Sequence, residues 1–100
     1  MPNHHKINIR LNGDSVRAEK SEEIRVGDTV TYSSPDGKVR VVFPGASPYI
    51  VSEVHNMHDH LVHHSGSFGF QCFITPHGQT QEIGWSAEHP EAGGQHDIIP

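Results

Sequence analysis

Ten of the 100 residues are histidine and one is cysteine. Histidine titrates near neutrality and is the commonest metal ligand, and a thiolate selects copper(I) or zinc, so the chemistry on offer is metal ligation and response to pH. Protonating every imidazole would carry the formal charge from −5 to +5. Five of the ten, His55, His58, His60, His63 and His64, fall within ten consecutive residues. In an extended segment His58 and His60 project from one face; in a helical one His60 and His64 do, at i and i+4. Either spacing can pinch a divalent ion such as copper, nickel or zinc. The competing reading is a solvated loop whose imidazoles are each satisfied by water.

Cys72 offers a second, softer site. It shares one side of a phenylalanine-rich segment with Phe68, Phe70 and Ile74, and His77 follows five residues later. A thiolate and an imidazole brought together there would form half of a metal site. The alternative is that Cys72 is a small buried hydrophobe and His77 a solvated loop residue. At the start of the chain, removal of Met1 would leave Pro2-Asn3-His4 with an amine, two amides and an imidazole in the square-planar order that copper(II) and nickel(II) prefer. With Met1 in place that motif is closed. No nucleophile elbow and no paired acid and base are evident, so an enzyme is not expected.

The elements that must position these groups read as strands. Ile7, Ile9 and Leu11 alternate with polar residues, Asn12-Gly13-Asp14 turns, and Val16 and Ala18 resume the alternation, which predicts a hairpin. Glu19 to Glu23 is a polar interruption, Ile24 and Val26 resume, and Gly27-Asp28 turns again. Thr29 to Ser33 and Lys38 to Phe43 flank the Ser34-Pro35-Asp36-Gly37 turn, and Pro44 to Pro48 ends the second of them. Tyr49 to Ser65 has no clear period. Phe68 to Ile74 is the clearest strand, followed by a loop at Thr75 to Gly78, a short strand at Ile83 to Ser86, a loop from Glu88 to Gly94, and a closing strand at Gln95 to Ile99. Seven or eight short strands with frequent turns predict an all-β antiparallel sandwich, with Val39, Val41, Phe68, Phe70 and Ile74 in its core.

The run Ile24 to Tyr32, the valine-rich strand Val39 to Phe43, and Gly66-Ser67-Phe68-Gly69-Phe70-Gln71-Cys72 with His77 beyond it resemble the cupredoxins, the small blue-copper family. The resemblance covers the chain from about Glu22 to Ile83. It implies a Greek-key β-sandwich, a copper cofactor held by Cys72 and His77, Gln81 as the weak axial ligand, and electron transfer with a redox protein partner. It departs from the family at Val39, where the earlier histidine ligand is expected. Three functions therefore stand: a copper-binding electron carrier at Cys72 and His77, a metal-free cupredoxin-like binding module, and a histidine-rich metal binder using His58, His60, His63 and His64.

The remaining composition sets bounds. One hundred residues make one domain, spanning 1–100, and the lone cysteine excludes an intrachain disulfide. Twelve acidic against seven basic residues argue against a nucleic-acid partner. No apolar run is long enough to span a bilayer as a helix, so no membrane partner is expected. The start lacks the apolar stretch of a secretory signal, which places the protein in the cytoplasm if Met1 is the native start and in the periplasm if a leader was removed.

Overall fold

The computed structural model describes residues 2–19, 23–56 and 58–100. Most of the polar interruption at Glu19 to Glu23, and the state of Met1, lie outside them. The described chain is all strand and turn, with no helix. Its strands are β1 (His4–Asn12), β2 (Ser15–Ala18), β3 (Ile24–Arg25), β4 (Thr29–Ser33), β5 (Gly37–Val42), β6 (Glu53–His55), β7 (Asp59–Leu61), β8 (Gly66–Pro76), β9 (Ile83–Gly84) and β10 (Gly93–Ile99).

These form two sheets that enclose one core as a sandwich. One has the order β2-β1-β4-β7; the other has the order β3-β10-β8-β5-β6, with β9 also on β8. The expected hairpin is β1 and β2, turning at Gly13, whose positive φ of 67° suits glycine. Period-2 alternation does the sorting: Ile7, Ile9, Val30, Tyr32, Val39, Val41, Phe68, Phe70, Cys72 and Ile74 all turn inward and are buried. Each large apolar side chain withdrawn from water in this way contributes about 1.5–3 kcal/mol. The expected core residues Val39, Val41, Phe68, Phe70 and Ile74 are all in it.

The sheets are mixed rather than purely antiparallel. β1 runs parallel to β4, with His4 opposite Thr29 and Ile7 opposite Tyr32, and β10 runs parallel to β3. Alternation specifies which face a residue takes and carries no information on strand direction, so this arrangement is invisible in the sequence pattern. The unassigned segment from Tyr49 to Ser65 resolves into two three-residue edge strands. β6 borders one sheet on β5, and β7 borders the other on β4.

One edge of β8 changes partner partway. β10 pairs with it as far as Gln71, and β9 takes over at Phe73. Cys72 is the residue at the changeover: its N–H donates to Ala92 O at 2.7 Å, and its carbonyl accepts from Trp85 N–H at 3.1 Å. On its other edge β8 pairs with β5 as far as Pro76, which holds it extended and governs where His77 can go.

Candidate metal centre

Cys72 is fully buried, as the alternation requires, and stands opposite Val41 on β5. Burial pushes its thiol up to about 12, so at neutral pH it is protonated and neither a ready nucleophile nor a ready ligand. His77 does not fold back over it. Five residues of extended chain put about 16 Å between the two positions. The His77 ring instead lies within 3.0 Å, from Nε2, of the Pro35 carbonyl, and its backbone N–H donates to Asp36 O. Gln81 is exposed in the bend before β9. Val39 is buried opposite Ile74. Cys72, His77 and Gln81 therefore do not meet in this structure.

The histidine segment is arranged differently. β7 pairs with β4 so that Val30 faces His60 and Thr31 faces Asp59. This register turns His60 toward the interior and Asp59 outward, where it accepts a 2.5 Å hydrogen bond from the Thr31 hydroxyl. His58, two residues before His60, takes the same side, and the two rings lie with centroids 6.4 Å apart. The half-buried His60 ring packs on Tyr49, centroid to centroid 5.6 Å. Burial is the main cause that pushes the His60 pKa down, against a backbone hydrogen bond to His55 that raises it. Its Nε2 is buried and has no hydrogen-bond partner among the described residues.

His63 and His64 form a second pair, rings 6.3 Å apart and exposed, with both backbone N–H groups donating to Pro48 O. His55 is exposed on β6, its Nε2 3.7 Å from Glu53 Oε1. Among the described residues no three His, Cys, Asp or Glu side chains are grouped to hold an ion together. The segment therefore offers imidazoles in twos, with water left to complete any coordination sphere.

Two polar clusters escape the sequence reading. His96, on β10, is buried, and its Nε2 lies 2.9 Å from Tyr32 Oη, which lies 2.6 Å from Tyr49 Oη. Phe43 and Phe70 pack around this chain of three, with Phe70 4.4 Å from the His96 ring. Desolvation pushes His96 down to about 4 and Tyr49 above its ordinary value. The second cluster is Asp28, buried behind the β3–β4 turn, which accepts from Asn3 N–H, Arg25 N–H and His5 Nε2–H at 2.8–3.0 Å. These bonds hold its carboxyl down at about 2, well below the usual carboxylate range. A signal for His96 was present in the parity it shares with Ile98. For Asp28 the sequence shows only a turn residue.

No family model, curated protein or solved structure matches this chain.

Proposed function

We propose that this chain is a cupredoxin-like Greek-key sandwich that binds a divalent transition-metal ion, copper(II), nickel(II) or zinc(II), through the paired imidazoles of His58 and His60. The observation that carries this reading is the uncommitted Nε2 of His60 beside the His58 ring, 6.4 Å between centroids. Binding requires the half-buried His60 ring to turn so that Nε2 reaches the surface, where the exposed His58 supplies the second nitrogen. Borderline ions suit imidazole, whereas magnesium and calcium prefer oxygen ligands. The Cys72 position supports a soft-metal site less well, because its buried thiol is protonated and it belongs to no group of three ligating side chains among the described residues. His63 and His64 give a second, more exposed pair that adds capacity.

The test is calorimetric titration of the protein with zinc(II), nickel(II) and copper(II) near pH 7.5. Combined His58→Ala and His60→Ala substitution is expected to remove the tighter binding event, and adding His63→Ala and His64→Ala to remove most of the rest. Cys72→Ala should leave both events in place. Binding abolished by Cys72→Ala but retained in the histidine variants, with intense thiolate charge-transfer absorption on adding copper(II), overturns the proposal.

A further inference from the structure

The turn that joins β1 to β2 begins with Asn12 followed by Gly13, a side-chain amide next to a backbone nitrogen whose own residue has no side chain to obstruct it. Both residues are exposed, the Gly13 N–H has no hydrogen-bond partner among the described residues, and a Cβ built on Gly13 would meet nothing within 4 Å. An extended strand end keeps that nitrogen away from the Asn12 side-chain carbonyl, so a reaction between them requires the hairpin tip to open. Only the last rung, Asn12 opposite Ser15, has to release. The next, Leu11 opposite Val16, is anchored by the buried Val16 and stays closed. Opening confined to an exposed strand end costs little free energy.

Asp36-Gly37 is a chemically similar junction that the fold treats in the opposite way. Every polar group of Asp36 is committed: its N–H donates to Ser34 Oγ at 3.0 Å, its carboxylate accepts from Leu11 N–H at 2.9 Å, and its carbonyl accepts from His77 N–H at 3.2 Å. Gly37 is buried against the Thr75 carbonyl. Asn3 and Asn8 precede the bulkier His4 and Ile9, and Asn8 Oδ1 accepts from the Ser33 hydroxyl at 3.3 Å.

We propose that Asn12 is a site of spontaneous deamidation in the folded protein. The Gly13 nitrogen forms a bond to Asn12 Cγ, the bond from Cγ to the side-chain nitrogen breaks, and that nitrogen leaves as ammonia, taking the Gly13 amide proton. Water then opens the resulting cyclic succinimide at either carbonyl, giving an aspartyl or an isoaspartyl residue, with no change of oxidation state in either step. The product places a second carboxylate beside Asp14. In the isoaspartyl form an extra methylene enters the backbone, and the rung opposite Ser15 is lost. The site is separate from the His58 and His60 pair and does not depend on a bound metal.

The test is prolonged incubation near pH 8, folded and in urea above the unfolding midpoint, followed by tryptic digestion at mildly acidic pH and mass spectrometry. The peptide 11–17 should gain the mass difference between an amide and an acid, as separable isoaspartyl and aspartyl forms, and Asn12→Ser should remove this gain. Its rate in the folded protein should lie within about tenfold of the rate in urea, the mark of a tip that opens locally. In the peptide 26–38, isoaspartate at Asp36 should form at least about tenfold more slowly in the folded protein than in urea. Modification of Asn12 slowed beyond that factor by folding, an aspartyl product with no isoaspartyl form, or folded protection at Asp36 no greater than at Asn12 each overturns the proposal.

Discussion

Tyr32 and His96 meet inside the sandwich, phenol oxygen to Nε2 at 2.9 Å, although they come from different sheets and lie 64 residues apart in the chain. With the Tyr49 hydroxyl at 2.6 Å they satisfy one another in surroundings that supply aromatic rings and little else. Such a chain stabilises the fold only while every member is paired, since a buried polar group left alone costs its full desolvation. Tyr32→Phe is expected to destabilise the protein by about 2–5 kcal/mol, because it strips a partner from both Tyr49 and His96. Tyr49→Phe, at the end of the chain, should cost less. Urea denaturation of the two variants checks the order, and a larger loss in Tyr49→Phe would contradict it.

The same burial sets a pH window. His96 titrates near 4 in the folded protein, below the ordinary imidazole value of 6.5. Between those values the unfolded chain binds the proton and the folded protein resists it. Stability is therefore full above about pH 6.5 and falls as pH drops toward 4, by at most about 1.4 kcal/mol per pH unit from this group. Urea midpoints across this range should show the slope, and His96→Phe should flatten it.

Asp28 governs a more acidic window. Its folded carboxyl titrates near 2 against an ordinary 3.8, so its contribution is complete above about pH 5 and is lost as pH falls through 4 toward 2. Asp28→Asn should remove that dependence and cost about 1.5–3 kcal/mol at neutral pH, because charge-assisted bonds from Asn3, His5 and Arg25 are weakened together. An unchanged acid midpoint in Asp28→Asn would show that other carboxylates control acid unfolding.

Gly84 tests the changeover at Cys72. A Cβ there would collide with the Cys72 carbonyl oxygen and with Phe73 Cα, both backbone atoms that cannot step aside without breaking the ladder. Gly84→Ala should lower stability by about 1–3 kcal/mol, as overpacking does elsewhere. Gly45→Ala, where a Cβ meets nothing within 4 Å, is the control and should stay within about 0.5 kcal/mol of the parent in thermal melts.

Strand positions and their buried faces were legible in the residues themselves. Thr29 to Ser33 forms over the expected span, the hairpin turns at Gly13, and Phe68, Phe70 and Ile74 point inward, because a half-buried strand writes its face into a period of two. Turn chemistry likewise marked Gly27-Asp28 and Ser34 to Gly37, since few residues other than glycine and proline suit such bends.

What the tertiary structure decided was direction, reach and partnership. Alternation is the same for parallel and antiparallel neighbours, so only the fold could set β1 parallel to β4. A five-residue offset allows Cys72 and His77 to meet or to part, and β5 settles it by pairing with β8 as far as Pro76 and keeping the strand extended. His58 and His60 could be read as neighbours from their i, i+2 spacing, but only the register of β7 on β4 turns His60 against Tyr49 and leaves its Nε2 uncommitted. Tyr32, Tyr49 and His96 show the limit most plainly. Hydrogen bonds between groups dozens of residues apart depend on distances in space, and no local pattern in a chain records those.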